Sequence, residues 1–440
     1  MTRAEKIRRL IFYLLILFLP TQLGKHFWPE FAFINGLRID YLSPTLYFTD
    51  LLIGGLLVLE ITDGYLAKIR RDQEVFRHLC RQAIVWQVSV KYLLCLLFVC
   101  YVCLNIFFSL SPLVSVYKWA RILEIVFLAF WVARHLDKKM FTTVSGILFL
   151  DGIGEAVLAL VQFYNQRSLG GPLYFLGERA FSGSTPGIAN AEVSGQLFLR
   201  AYGTFSHPNV LAAFLVFTLP FAFYFLQNRR QEKKRLVVGL GGVALVFLGL
   251  LSTVSRSGLI AGVFLIPAIS LGIFWGKCKG MQRAFLGITP GLFAVVITGL
   301  ILIFGFRGAE NTESFGFREQ TAFLAVKNFL ATPFLGRGLG TAPVITARAG
   351  IKATNFALSF QPVHNAYLLL LEEAGIIGWG IMIVILWESW KKIKKNISLT
   401  FLFLTILLLG LIDHYWLTSQ QGSLLIAVFF GLAWSRAVQV

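Results

Sequence analysis

The stretch Gln361-Pro-Val-His-Asn-Ala-Tyr-Leu-Leu-Leu-Leu-Glu-Glu-Ala-Gly-Ile-Ile-Gly sets a histidine and an asparagine at the start of a long apolar run, with two glutamates about two turns further in. Pro362 stops whatever precedes it, and Asn365 is a good N-cap for the helix that follows. The positive end of that helix disfavours an imidazolium, so His364 should be neutral near pH 7, as a general base must be. A histidine that merely caps the helix through structural hydrogen bonds is the competing reading, and the residues alone do not separate the two.

Two arginines stand in comparable places. Arg200 lies in FLRAYGTFSHPNVLAAF and Arg256 in LSTVSRSGLIAGV, each just ahead of a helix start, at Pro208-Asn209 and at Ser257. The guanidinium fork suits bidentate contact with phosphate, and backbone N–H groups at a helix N-terminus favour an anion. Together Arg200, Arg256 and the Asn209 helix start would make a pyrophosphate clamp; the bland alternative is snorkelling of long basic side chains at helix ends. His207, in SHPN, reads more as a cap or packing residue, and Asp413-His414 as either a polar hinge or part of an acceptor site. Lys118 fits snorkelling, and Arg121 could pair with Glu124 on its own helix or Glu155 on the next. Arg337 is the one charge in the Gly-rich bend FLGRGLGT.

These groups are set in a chain of 440 residues that is 57% hydrophobic and 14% charged, whereas a soluble domain carries roughly a quarter charged residues. Apolar runs recur from end to end, so the expected fold is all-α and polytopic, a single membrane unit over 1–440. Twelve spans are expected, near 10–27, 45–65, 92–112, 115–135, 140–163, 209–227, 235–252, 257–275, 285–305, 366–390, 397–413 and 420–436. The run Leu10 to Leu23 follows Arg8-Arg9 without a small-residue cleavage site and reads as a retained span. The formal charge of +18 falls mostly in short clusters in every second loop, which puts both termini in the cytoplasm and argues against a nucleic-acid partner.

Of the five cysteines, Cys80 and Cys278 fall in expected cytoplasmic loops and Cys95, Cys100 and Cys103 on one apolar helix, so no disulfide is expected. Cys100 and Cys103 form a CxxC without further ligands. Two outer connections are long: 165–208, rich in Gly, Ser and Pro, and 306–365. In the second, FREQTAFLAVKNFLATP spaces Phe323, Val326 and Leu330 on one helical face opposite Lys327 and Asn328. No Walker motif, DxD pair, inverted repeat or His–carboxylate set with metal spacing is visible, so neither metal nor cofactor is expected.

From Ala374 to Trp390 is 17 residues, about 25 Å of helix, nearly enough to cross a hydrocarbon core of about 30 Å. His364 would then stand roughly 15 Å above that core, with Glu372 and Glu373 near the interface.

At His364 the chain resembles the O-antigen ligase family, within the O-antigen ligase and polymerase superfamily. His364-Asn365, nine residues, then Gly375-Ile-Ile-Gly378 fits the pattern H-[N/S/Q]-x9-G-x-x-G. RAYGTFSHPNVLA and STVSRSG look like the family's other signature stretches, and FLATPFLGRGLGT is similar to its PLLGxGxG segment. The resemblance implies a GT-C-type membrane glycosyltransferase with a large periplasmic loop region, in the inner membrane of a Gram-negative bacterium. Its donor would be a glycan on undecaprenyl pyrophosphate and its acceptor lipid A–core, in lipopolysaccharide biosynthesis. Carried onto this sequence, His364 becomes the candidate base and Arg200 and Arg256 the pyrophosphate arginines, with Asn365, His207, Asn209, Arg121 and Arg337 as possible support. Transfer is then expected to be metal-independent and inverting. O-antigen polymerases and protein O-oligosaccharyltransferases share the donor and differ in acceptor; a lipid-linked glycan transporter is the alternative from another class.

Overall fold

A computed structural model describes residues 2–75, 90–193, 195–227, 233–263, 265, 310–351 and 360–438. The chain is mostly helical. The described helices are α1 (Arg3–Leu17), α2 (Phe48–Val75), α3 (Val90–Phe107), α4 (Pro112–His135), α5 (Lys138–Asn165), α6 (Pro208–Gln227), α7 (Lys233–Ser252), α8 (Glu310–Ala331), α9 (Ala342–Arg348), α10 (Ala366–Ile393), α11 (Ile397–Ile412), α12 (Tyr415–Thr418) and α13 (Gln420–Trp434). A further helix begins at Arg256, and the helical connections carry two short 3-10 turns. The span expected at 285–305, most of that at 257–275, and Cys80 and Cys278 lie outside the described residues; Cys95, Cys100 and Cys103 are free and exposed on α3.

Two helices, α5 and α10, are long and apolar enough to cross a membrane, and five shorter apolar segments fall in α3, α6, α7, α11 and α13. Their outward residues are apolar too: Leu94 is 60% exposed and Val384 61%. A helix facing water would carry polar groups there. The first expected span, 10–27, is corrected. Helix α1 begins at a capping box, in which Glu5 N–H donates to Thr2 Oγ1 and Thr2 N–H donates to Glu5 Oε2, and it ends at Leu17. Pro20 lies just beyond that end, and the chain turns into strand β1 (Gly24–His26), antiparallel to β4 (Thr45–Tyr47). Between them β2 (Phe33–Ile34) and β3 (Leu37–Arg38) form a second small hairpin.

One large core joins α1, α4, α5, α6, α7, α11 and α13. Small residues let these helices approach closely. A Cβ on Gly249 of α7 would come within 2.6 Å of Ala156 on α5. At one end of the helix array the connections thicken into structure. The 165–208 connection forms a 3-10 turn (Gly171–Leu176) and the antiparallel hairpin β5 (Asn190–Val193) and β6 (Gln196–Leu199). The 306–365 connection contains α8 and α9. The expected apolar face of α8 forms but is not buried in the protein, since Phe323 is 73% exposed, while Asn328 on the opposite face donates to Glu372.

Glu372 and Glu373 are buried within the protein. Glu373 accepts N–H bonds from Gly340 and Ala342, and its carbonyl accepts from Gly338 and from Asn105 Nδ2. The two glutamates therefore clamp the Gly-rich bend at 336–340 beneath α9. Opposite them, α10 is broken at Gly375, whose φ of 64° and ψ of −169° fall in a region only glycine tolerates. A Cβ there would overlap the Phe334 carbonyl oxygen. The close approach at Gly375 is thus to the 333–336 segment, and Gly378 meets Tyr101 of α3. Gly375→Ala is expected to destabilise the fold by about 2–4 kcal/mol, from backbone strain plus steric overlap, read as a lowered thermal midpoint in detergent.

Candidate functional site

The bend and the broken helix carry His364 to a wide polar cavity of about 810 Å³ at the end of the array where the connections are structured. Asn365 fixes the histidine from below. Its Oδ1 accepts from Tyr367 and Leu368 N–H, as an N-cap should, and its Nδ2 donates to the Leu411 carbonyl at the end of α11. The same side chain therefore starts α10 and ties that start to the C-terminus of α11, where Asp413 and His414 leave the helix.

That tie brings two distant stretches into contact. Nδ1 of His364 lies 3.5 Å from Asp413 Oδ1, and its Nε2 is 3.1 Å from Gln361 Oε1. The His364 and His414 rings lie 5.2 Å apart. Asp413 Oδ1 also accepts the His414 backbone N–H, and Oδ2 accepts from Asn209 Nδ2. Asn209 Oδ1 in turn accepts from Arg200 Nη2 at 2.7 Å and from Ser255 Oγ, while Arg200 Nε donates to the Thr253 carbonyl. A continuous polar chain thus runs from Arg200 through Asn209 and Asp413 to His364.

The turn that holds Arg200 is strained. Val254, between Thr253 and Ser255, has φ 47°. A β-branched residue there is a genuine outlier, and such strain persists where surrounding contacts over-determine it. Arg256 opens the helix that follows and does not line the cavity, although its charge acts on Arg200. Of the two arginines of the expected clamp, the structure places Arg200 in the cavity wall and Arg256 outside its lining but close enough to act on Arg200.

Electrostatics follow from burial. Burial, with the repulsion of Arg318 and Arg256 and against the pull of Tyr202 and Asp413, lowers the Arg200 pKa to about 10, which leaves it cationic at neutral pH. Burial would raise the Asp413 carboxyl, but contact with His364 and the charges of His414 and His207 hold it well below the usual carboxylate range. His414 is pushed down to about 4, by burial first, against the pull of Asp413.

His207 behaves as the cap it was read to be. Its Nδ1 accepts the Asn209 N–H at 3.1 Å, and burial, then the Arg200 charge, depress its imidazolium to about 3. The unfolded chain then binds a proton at this site between about pH 3 and 6.5 that the folded chain does not, so stability falls as pH drops through that window. His207→Asn keeps an acceptor for the Asn209 N–H and removes the titration. The loss of thermal stability between pH 7 and pH 4 is expected to be shallower in that variant.

Other expected supporting residues separate. Arg121 pairs with Asp50 at 2.8 Å and with Glu124, not with Glu155, which instead accepts from Thr204. Asp50 accepts from Gln420 on the cavity wall, so Arg121 is a structural tie two steps from the site. Arg337 does not reach the cavity; its backbone N–H donates to the Glu372 carbonyl, within the Gly-rich bend.

Three groups were not expected. Arg318 on α8 lines both the main cavity and a second one of about 340 Å³ that adjoins His364, Leu368 and Leu411, and its buried Nε has no hydrogen-bond partner among the described residues. Gln361 flanks the His364 ring. His364, Asp413 and His414 form a His–carboxylate group whose ligand atoms all lie within 4.8 Å of one another, where the sequence shows no such set. The signal for Arg318 was its place as a lone arginine early in the amphipathic helix; nothing in the spacing of 364 and 413 could signal the third. No protein-family model matches this sequence, and no curated protein matches it either.

Proposed function

We propose that this chain is a polytopic inner-membrane glycosyltransferase that moves a glycan from undecaprenyl pyrophosphate to a lipid A–core acceptor, as the resemblance to O-antigen ligases implies. The observation that carries the reading is the polar chain from Arg200 to His364 along one cavity wall, with Arg318 and its unpaired Nε beside it. In this reading the described helices belong to about twelve spans, both termini face the cytoplasm, and the cavity opens to the periplasm. The apolar residues exposed along α3 and α10 support lipid around the helices. The 340 Å³ cavity between α8, α10 and α11 suits the first units of a polyprenyl chain, with Arg318 at its junction with the main cavity.

The chemistry then runs through side chains alone. Asp413 orients Nδ1–H of His364, which leaves Nε2 to take the proton of the acceptor hydroxyl. The hydroxyl oxygen bonds to the anomeric carbon as the bond from that carbon to the pyrophosphate oxygen breaks, and its electron pair leaves on the pyrophosphate. Arg200 and Arg318 face that developing charge, with Arg256 adding field from outside the lining. Attack opposite the leaving group inverts the carbon. Gln361 follows the ring, accepting from Nε2–H once the proton has moved.

A second reading has its own observation. Arg179, Phe181 and Ile188 of the 165–208 connection line the cavity together with Arg318 and His364 of the 306–365 connection, so both long outer connections contribute to it, as in polymerases that extend the glycan on the lipid carrier. Purified protein, lipid-linked glycan and lipid A–core decide between them. Glycan on lipid A–core is expected; lengthened lipid-linked glycan with unmodified core would make the chain a polymerase.

A further inference from the structure

Three Lewis-basic atoms meet at one point of the cavity wall. Asp413 Oδ1 is 3.5 Å from His364 Nδ1 and 3.9 Å from His414 Nε2. His414 Nδ1 is held 2.7 Å from Thr418 Oγ1, and in the tautomer whose Nδ1–H donates to that hydroxyl, Nε2 carries the lone pair. His364 Nδ1 is buried and makes no hydrogen bond of its own among the described residues, so its lone pair can be turned to an ion.

The outer partners complete a pattern. Each of the three groups is held on its far side: His414 by Thr418, Asp413 Oδ2 by Asn209 Nδ2, and His364 Nε2 by Gln361 Oε1, an acceptor for the proton that Nε2 carries when Nδ1 is engaged. Metal-ligating histidines characteristically donate their second N–H to such an acceptor. Zinc–nitrogen and zinc–oxygen distances near 2.0–2.2 Å place neighbouring ligands of one ion roughly 3.3 Å apart. The three ligand atoms, all within 4.8 Å of one another, must draw together to reach that value, and all three residues line the cavity.

We propose that His364, Asp413 and His414 form a binding site for a borderline divalent transition-metal ion of the zinc class, and that occupancy silences transfer. Imidazole and carboxylate ligands favour zinc, cobalt, nickel or copper over magnesium and calcium. The Arg200 and Arg318 charges oppose a dication, so the site is reversible rather than a permanent structural one; the Asp413 carboxylate provides the countercharge. Binding through Nδ1 requires the tautomer whose single N–H lies on Nε2, so the proton that Nδ1 carries opposite Asp413 moves to Nε2, the atom that must be bare to accept the hydroxyl proton. The inhibitory consequence rests on the transfer reading above; the binding does not.

The test uses full-length protein in detergent, stripped with EDTA and dialysed, then titrated with Co2+. One Co2+ per chain is expected, with visible d–d absorption that Zn2+ displaces and Mg2+ does not, and that is lost in His414→Gln and Asp413→Asn variants shown to elute as the folded wild type does. Absence of the band in wild type, or its persistence in both variants, overturns the site. In the transfer assay, Zn2+ saturating this site is expected to lower the wild-type rate at least tenfold, reversibly with EDTA. A rate unchanged by bound Zn2+ overturns the inhibitory role alone. Activity lost in EDTA and restored by Zn2+ would also overturn that role, together with the metal-independent mechanism, while the site itself stood.

Discussion

His364→Ala is expected to lower glycan transfer by about a hundred- to ten-thousand-fold, the range general-base catalysis supplies, while donor binding changes little. The separation follows from geometry. Among the described residues, His364 reaches Arg200 only through Asp413 and Asn209, and both of those keep other partners when the ring is removed: Asp413 the His414 N–H, and Asn209 the Arg200 and Ser255 donors. The pyrophosphate side of the cavity should therefore remain assembled. Asp413→Asn provides the graded control. It retains the shape and an acceptor oxygen but removes the charge facing Nδ1, so a smaller fall in the same rate constant is expected. The split is read from single-turnover rates with labelled lipid-linked glycan, alongside direct donor binding. Equal losses of binding and rate in His364→Ala would show the histidine to be a structural cap whose removal collapses the cavity.

Arg200→Lys is the second large effect, although it conserves charge. Arg200 uses Nε to hold the Thr253 carbonyl and Nη2 to hold Asn209 Oδ1, two directions that a single ammonium cannot cover as a planar fork does. The substitution is expected to loosen the strained turn at Val254, free Asn209, and through it release Asp413 Oδ2. Both the anion contact and the orientation of the base then weaken, and kcat/KM is expected to fall by about a hundredfold or more, comparable to loss of a charge-stabilising donor. Arg318→Gln is expected to raise the donor KM with a lesser effect on kcat, because Arg318 belongs to no hydrogen-bonded chain that reaches His364 among the described residues. Wild-type kcat/KM in the Arg200→Lys variant would mean that the fork geometry is irrelevant.

Sequence reasoning was most successful where local physics decides. The N-cap at Asn365, the capping role of His207, and helices near 115–135, 140–163, 209–227 and 235–252 follow from side-chain chemistry and apolar run length, and each is present. It failed where a run of apolar residues carries no information about its neighbours. Leu10 to Leu23 reads as one span, but Pro20 and the β1–β4 pairing turn its second half aside, a constraint exerted by residues some twenty positions further on. Helix length says nothing of the partners of Glu372 and Glu373, whose carboxylates accept from Asn328 and from the Gly340 and Ala342 N–H groups respectively.

The site divides in the same way. His364, Arg200 and Asn209 stood out because each sits beside a helix start, a locally readable feature. The sequence leaves the role of Asp413 open, since that role depends on the α10–α11 contact through Asn365 and Leu411. Arg318 is not marked by the apolar stripe of α8, which says nothing of the cavity that the helix borders. Arg337 looked equally promising as a charge in a Gly-rich bend, and tertiary structure turns that bend away from the cavity.

The central claim is that His364 and the arginine-lined wall transfer a glycan from a lipid pyrophosphate without a metal cofactor. It is tested most directly by mixing the purified chain with radiolabelled undecaprenyl-pyrophosphate glycan and lipid A–core in detergent containing EDTA, and resolving the products on a gel. The account predicts label on lipid A–core from wild type and none from His364→Ala. Label remaining wholly on the starting lipid with wild-type protein, under conditions where the donor is shown to bind, would contradict it.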